Sequence, residues 1–464
     1  MLKCDLLVDS KDLRATLLRL KKDEDFTILL DMTAVDYSKF PDSTPSRFAV
    51  VYVLRSSDFK KETTVKAFVS DETLSVDTVS DIFPSANWAE REAYDQYGVI
   101  FLNHPNLKRV LNHKQFIGHP LRKDYKITQG QICTETEDLM DEMLPLLKSK
   151  GYTDEEIADL MLLNVGPSHP ASHGTIRNFV ALEGETIAAC VTEIGYLHRG
   201  FEKACEHHTY SQVIPYTDRL NYCSAILNNI GWAKAIEDMM KIEITPRAKM
   251  IRVVIGELSR IIDHFVCNAA NMVDLGGLTS LWYLFGARDQ AYDLLSKLTG
   301  ARLTNTYTRI GGLEFDLYDG FDKDLEEVLK TSEKAIEDVL SLIAHNKLFH
   351  DRTQDVGVIK ADFALANGIS GPNLRAAGVA HDLRKDKPYY GYENFDFDLV
   401  IGSHGDVYDR MMCRFEESIQ SIKIIRQAMK NMPDGAINVY APNLVLPNKT
   451  DVYGNIDGLM NQFK

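Results

Sequence analysis

The stretch Thr245-Pro-Arg-Ala-Lys-Met-Ile-Arg-Val-Val-Ile-Gly-Glu-Leu-Ser-Arg-Ile-Ile-Asp-His-Phe-Val-Cys-Asn-Ala-Ala-Asn-Met-Val-Asp274 reads as one long helix. Thr245 has a capping side chain and Pro246 suits the first helical position. Met250, Val253, Val254, Leu258, Ile261, Ile262 and Phe265 recur at helical spacing and form an apolar stripe. The same periodicity predicts helices at 211–230, 281–298, 323–344 and 406–432, the last stopped by Pro433. Long amphipathic helices in succession imply a bundle core.

Before residue 202 the pattern differs. Residues 1–125 read as a small α/β unit: a helix at 11–22, then strands at 26–30, 48–54 and 63–69, with the next helix expected to start near Asp71. The run Trp88-Ala-Glu90-Arg91-Glu92-Ala-Tyr94-Asp95 predicts a helix whose charged residues make local ion pairs on a solvated face. Gly118-His-Pro120-Leu-Arg122-Lys123-Asp124-Tyr125 ends in two cations suited to docking onto an acidic partner. Residues 126–160 read as an acidic junction: Pro145 interrupts any long helix, and Thr153-Asp-Glu-Glu156 forms a capping box for a short helix reaching Leu163. Residues 176–182 and 187–192 alternate as two strands around Gly184-Glu185, a hairpin. The fold class is therefore α+β, and the expected division is 1–125, 126–160 and 161–464.

Bulk composition excludes some functions. Over 464 residues, 45% hydrophobic and 26% charged, the chain has ample material for two or three cores. A net charge of −15, spread along the chain, argues against nucleic acid as partner. No apolar run reaches the length of a membrane span, and charge interrupts the N-terminus too early for a signal peptide, so a cytoplasmic location follows. Seven cysteines without a Cys-x-x-Cys pair read as reduced and mostly buried.

Chemistry concentrates in four places. Gly166-Pro-Ser-His169-Pro-Ala-Ser-His173-Gly174 holds two imidazoles on an ordered turn; they can shuttle protons, ligate a metal or grip a polar ligand, and a purely structural turn fits as well. Leu197-His-Arg199-Gly200 fixes a guanidinium that can bond a carboxylate or bias a nearby redox centre, or form a plain salt bridge. Thr217-Asp-Arg-Leu-Asn221-Tyr222 presents a phenol suited to a carbonyl ligand, though a buried Tyr bonded to backbone is the commoner case. Asp274 ends the long helix, where the macrodipole disfavours an anion; a protonatable His169 or His173 would compensate it, and an ordinary exposed aspartate beside a turn fits equally well. Gly371-Pro-Asn-Leu-Arg375, Asp382-Leu-Arg384-Lys-Asp386 and Gly405-Asp406-Val-Tyr-Asp409-Arg410 read as parts of buried Arg–Asp networks. No phosphate loop, dinucleotide fingerprint or nucleophile elbow is present.

The run from Trp88 through Tyr125 resembles the signature of the 30-kDa (C) subunit of respiratory complex I. From Gly166 onward the chain is similar to the 49-kDa (D) subunit, through the two-histidine turn, Gly195-Tyr-Leu-His-Arg-Gly-Phe-Glu-Lys203, Asp218-Arg-Leu-Asn-Tyr222, Gly371–Arg375 and Gly405–Arg410. The resemblance is to a fused C/D subunit of the NADH-quinone oxidoreductases. It implies a small N-terminal α/β domain, then a mainly helical domain like the large subunit of [NiFe] hydrogenases, a helix bundle with a small sheet. It implies a peripheral-arm subunit on the cytoplasmic face of the bacterial inner membrane. Its partners would be the B subunit, the I and H/A membrane-proximal subunits and other peripheral-arm subunits. The chain would carry no Fe–S cluster or other metal of its own; electrons would come from the B subunit's terminal [4Fe–4S] cluster, and NAD(H) would bind elsewhere in the complex. His173 and Tyr222 would hold the carbonyls of ubiquinone or menaquinone, Asp274 would pair with His173, His169 would line the loop, and Arg199 would lie near the partner's cluster.

Three departures from the family pattern stand out. Asn221 replaces the usual aspartate before the tyrosine. Thr304 stands where family members often carry a histidine that couples cluster reduction to protonation, which implies a lower-potential cluster suited to menaquinone. The family continues beyond Lys464 with a stretch that helps complete the bundle and its contact with the B protein. A [NiFe] hydrogenase large subunit would need Cys-x-x-Cys pairs that are absent here. A non-catalytic assembly paralogue would not be expected to keep His173, Tyr222 and Asp274 together.

Overall fold

The structure, a computed structural model, describes residues 4–135, 138–169, 172, 174–441, 447 and 449–463. The chain divides into two compact units: Met1–His207 with Leu365–Gly368, and His208–Ala364 with Ile369–Lys464. Helices dominate and the sheets are small, so the α+β class holds.

In the first unit, β1 (Leu6–Asp9), α1 (Leu13–Asp23), β2 (Ile28–Asp36), β3 (Phe48–Arg55) and β4 (Glu62–Val69) come first. The sheet order is β1-β4-β3-β2, with β1 parallel to β4 and the other neighbours antiparallel. Leu13, Leu17 and Leu20 of α1 bury against Val50, Tyr52 and Val65 in one core cluster. No helix starts at Asp71. Instead β5 (Ser75–Asp77) pairs in parallel with β6 (Ile100–Leu102), and α2 (Ala86–Tyr97) makes the crossover. Val76 is buried on β5 and joins the same core, a packing demand stronger than local helix propensity.

The acidic junction has structure and a core of its own. Helix α3 (Met140–Ser149) contains Pro145, against the expected break. Leu139, Met143 and Leu147, four residues apart, bury on Phe179, Ala181, Ala189 and Val191, and this packing outweighs the lost backbone donor. Thr153 caps α4 (Asp154–Asp159) through the expected capping box, but the helix does not reach Leu163. Leu160 turns extended, and Met161–Val165 forms β7 beside β8 (Arg177–Glu183), which pairs with β9 (Thr186–Glu193) through the expected hairpin. Helix α5 (Phe201–Cys205) ends the unit. It is tied back by Lys203 Nζ, which donates to the Arg122 carbonyl at 2.8 Å, and by a Lys123–Glu206 ion pair. Lys123 thus has its acidic partner within its own unit. Arg122 donates to the Tyr97 carbonyl at 2.6 Å and lies over the Phe48 ring.

The second unit is the bundle. The expected helix at 211–230 is two, α6 (Tyr210–Thr217) and α7 (Ala225–Met240), joined by a 3-10 turn at Tyr222–Ser224. Helix α8 (Pro246–Asp274) matches its predicted span, with Thr245 Oγ1 accepting from Ala248 N. Then follow α9 (Leu278–Thr299), the short hairpin β10 (Thr308–Arg309) and β11 (Gly312–Leu313), α10 (Phe321–Ile343), α11 (Lys347–Thr353), α12 (Ala361–Ala366), α13 (Gly371–Ala376), α14 (Leu383–Asp386), α15 (Val407–Lys430), α16 (Lys449–Gly454) and α17 (Ile456–Phe463). Helix α8 is the axis of the bundle: Ile251, Val254, Leu258, Ile262 and Phe265 share one core cluster with Leu284 and Leu295 of α9, Leu325 of α10 and Phe415 and Ile422 of α15. Only Cys413 among the cysteines is fully buried, against the expectation that most would be. No helix among the described residues is long and apolar enough to cross a membrane.

Candidate functional site

His169 is exposed on the loop after β7, in the first unit. Its carbonyl accepts from Ser172 N at 3.0 Å, and Ser172 Oγ donates to the carbonyls of Gly174 and Ile176. Gly166 opens the loop at φ +101°, where a Cβ would collide with the Ile176 carbonyl, so only glycine fits. His173 lies outside the described residues. Arg199 is exposed in the turn before α5, next to Gly200 at φ +59°.

Tyr222 and Asp274 belong to the second unit. Tyr222 stands 55% exposed at the start of the 3-10 turn. Its neighbours are pinned. Asp218 is fully buried and accepts from Thr306 Oγ1 at 2.6 Å and Thr306 N at 3.3 Å. Asn221 Nδ2 donates to Ser224 Oγ at 2.7 Å and to Asp263 Oδ1 at 3.3 Å on α8. The two departures, Asn221 and Thr304, therefore sit on segments joined through Asp218. Cys223, beside the phenol, is half-buried; burial, then Asp263, push its thiol up.

Asp263 and Asp274 are eleven residues apart on α8, three turns and about 16 Å along one face. Asp274 lines a cleft of about 350 Å³ with Asn271, Asn373, Arg410, Met411 and Arg414. Arg352 Nη1 donates to the Leu275 carbonyl at 2.9 Å. Arg352 thus meets a carbonyl at the helix C-terminus, and Arg410 and Arg414 share the cleft with Asp274.

Beneath the cleft runs a buried polar network that the sequence did not resolve into partners. Glu417 on α15 accepts from His264 Nε2 at 2.9 Å and from Arg375 Nε at 2.6 Å. Burial raises its carboxyl, but those two partners outweigh it and hold it down at about 2. An ionised Glu417 requires Nε2 to carry the hydrogen. Burial lowers the His264 imidazole; the bond and charge of Glu417 raise it in part, and Arg260 and Arg414 lower it again, leaving it below its ordinary value. Glu257 takes Arg384 Nη1 at 2.9 Å, Tyr392 hydroxyl at 2.6 Å and Ser421 hydroxyl at 2.6 Å. The expected Arg–Asp pairing is present in Arg384–Asp382 at 2.7 Å, but Arg375 and Arg384 also answer glutamates on α8 and α15. The signal available in the sequence was Glu257, Arg260, His264, Asn268 and Asn271, a polar stripe at helical spacing inside an apolar helix.

The first unit has a cleft of about 900 Å³, lined by Arg14, Asp77, Asp81, Asn87 and Trp88 among others. Glu90 lies buried on α2 and accepts from Thr78 Oγ1 at 2.5 Å and Val79 N at 2.8 Å. Burial pushes its carboxyl up to about 7. Asp95, equally buried, accepts from Arg109 Nη1 at 2.6 Å and from the backbone of Leu111 and Asn112; these donors overcome burial and keep it below the usual range. So Glu90 and Asp95 are internal anchors, not a solvated face: α2 packs against β2 and turns both carboxylates inward. Among the described residues no three His, Cys, Asp or Glu side chains group as a metal site would.

Residues 6–131 match the family described as respiratory-chain NADH dehydrogenase, 30 Kd subunit, and residues 274–464 match its 49 Kd subunit. The NADH-quinone oxidoreductase C/D subunit of Bdellovibrio bacteriovorus is 47% identical over 457 residues, 98% of this chain and 80% of that protein. The C/D subunit of Psychrobacter cryohalolentis is 38% identical over 469 residues, 97% of this chain and 78% of its own. That of Acinetobacter baylyi is 37% identical over 456 residues, covering 96% and 76%.

Proposed function

Because the chain belongs to the family of fused C/D subunits of NADH-quinone oxidoreductase, we propose that it forms, with the B subunit of that complex, the site where quinone binds and is reduced. The observation that carries this is Tyr222, a phenol held out at 55% exposure on a turn fixed from both sides by Asp218 and Asn221. A hydroxyl so placed donates a hydrogen bond to a ligand carbonyl, and the bond strengthens as negative charge develops on that oxygen. His173 is proposed as the second donor, with Asp274 orienting it and adjusting its proton affinity. His169 lines the same loop, and Arg199 faces the cluster of the partner. The 30-kDa-like part is read as 1–125, the linker as 126–160 and the quinone-site part as 161–464. The subunit works only in the assembled complex, peripheral on the cytoplasmic face of the inner membrane, with the I and H/A subunits as membrane-proximal neighbours.

The test is Tyr222→Phe and His173→Ala in the assembled complex. Quinone reductase activity is expected to fall about a hundredfold in each, the scale of one lost catalytic donor. Oxidation of NADH by ferricyanide, which does not need the quinone site, is expected to hold. Unchanged quinone reduction in both variants refutes the assignment.

A further inference from the structure

Helix α8 carries His264, Asn268, Asn271 and Asp274 in steps of four, three and three residues, so successive side chains lie one turn apart along it. The last two line the 350 Å³ cleft. Asn268 is fully buried; its Nδ2 donates at 3.1 Å to the carbonyl of Met411, another cleft residue, while its Oδ1 has no hydrogen-bond partner among the described residues. A buried acceptor of this kind is ordinarily met by water. The stripe thus joins the cleft to His264.

His264 is held at one nitrogen only. Nε2–H donates to Glu417, and among the described residues nothing bonds Nδ1. The charged groups around the ring are Glu417 and Arg414 from α15, Arg260 from its own helix, and Arg375 from α13, which acts through Glu417. Arg414 also lines the cleft, so the ring and the cleft share one cation.

We propose that His264 is a proton relay for the Asp274 cleft: Nδ1 takes up a proton arriving through the cleft, the imidazolium is held by Glu417, and the same proton returns towards Asp274 when the site consumes one. The relay rests on the quinone-site reading, because quinone reduction is what draws protons. Glu417 stays ionised throughout and the proton count is conserved, with bulk water as the source. Nδ1 must be vacant to work, so activity carries an acid limb: it falls as pH drops below the proton affinity of the ring. His264 acts through Asp274 and does not touch substrate; it is a positioning residue in that sense.

The decisive variant is His264→Gln in the assembled complex. The glutamine amide keeps the donor to Glu417 and cannot titrate. Quinone reductase activity, normalised to NADH–ferricyanide oxidation, is followed from pH 5 to 8.5. The expected result is a loss of about tenfold on the plateau and disappearance of the acid limb. A His264→Gln complex with the wild-type limb overturns the relay. Arg414→Gln removes a cation that lowers His264, and is expected to move the limb to higher pH. An unmoved limb in that variant also overturns the relay, and it decides the matter if His264→Gln fails to assemble. Tyr222→Phe in the same assay separates the two proposals. If it leaves quinone reduction intact, the quinone site is misplaced. If it lowers quinone reduction while both relay variants keep the wild-type limb, only the relay fails.

Discussion

Replacing Glu90 by glutamine should stabilise the first unit at alkaline pH. Glu90 has no exposed surface, and burial raises its carboxyl from the ordinary 4.5 to about 7, against the pull of Thr78 and Val79. Arg14 lowers it less than either, and is itself paired with Asp81. His104 Nε2 lies 3.9 Å away, but His104 Nδ1 accepts from Asn106 N at 3.0 Å, so Nε2 must carry the only hydrogen and donates it to the Asn87 carbonyl. The ring is neutral, and burial lowers it further. The sign follows directly. Between pH 4.5 and about 7 the unfolded chain ionises Glu90 while the folded chain keeps it protonated, so stability falls as pH rises through that window and stays low above it. The gap between 4.5 and about 7, at 1.36 kcal/mol per pH unit, amounts to about 3 kcal/mol. In Glu90→Gln the amide oxygen can still accept from Val79 N and the amide nitrogen can donate to Thr78 Oγ1, whose hydroxyl turns to Ser80, 2.8 Å away. The variant should therefore match wild type near pH 5 and exceed it by about 2–3 kcal/mol at pH 8. Urea unfolding read by Trp88 fluorescence, with Trp232 and Trp282 changed to phenylalanine, isolates this unit. Parallel pH profiles for wild type and Glu90→Gln would refute the reasoning.

Two further perturbations test the second unit. Arg252, fully buried, donates to Glu237 at 2.7 and 2.8 Å and to the carbonyls of Arg309 and Gly312, so Arg252→Met strands a buried carboxylate and is expected to cost about 3–5 kcal/mol. Urea unfolding read by Trp232 measures it, and Arg252→Met with Glu237→Leu should recover most of the loss. Asp218→Ala removes the acceptor of both Thr306 N and Thr306 Oγ1; a cost of about 1–2 kcal/mol would speed tryptic cleavage after the exposed Arg302 roughly 5–30-fold. Cleavage at the wild-type rate would show that Asp218 does not hold that loop.

What could be read from the chain alone was whatever rests on neighbours in sequence. Thr245-Pro246 and the apolar periodicity of α8 place that helix correctly because cap, first turn and stripe all lie within its own residues. The break between α6 and α7 was invisible because no local residue forces it; it follows Asp218, whose partner Thr306 is 88 residues away. Met161–Leu163 read as the tail of a helix because only pairing with β8 makes Met161–Val165 a strand. Glu90 and Asp95 read as solvated because charge defaults to the surface, and only their distant donors, Thr78 and Arg109, make burial tolerable.

The site shows the same division. Tyr222 and Asp274 stand out as residue types in telling places, and the family resemblance joins them. Neither route finds His264, because a histidine inside an apolar helix is more often a satisfied core residue than a working one. What separates the two cases is the atom left over. A core histidine usually has both nitrogens answered, whereas His264 spends Nε2 on Glu417 and keeps Nδ1 unbonded among the described residues, next to an asparagine whose own carbonyl oxygen is unanswered. An unmet buried acceptor one turn from the ring, leading to a cleft that holds a carboxylate and two arginines, is difficult to account for as packing alone. A merely structural His264 predicts that glutamine, which keeps the Glu417 bond, changes nothing in the pH profile, so the limb itself decides between the two.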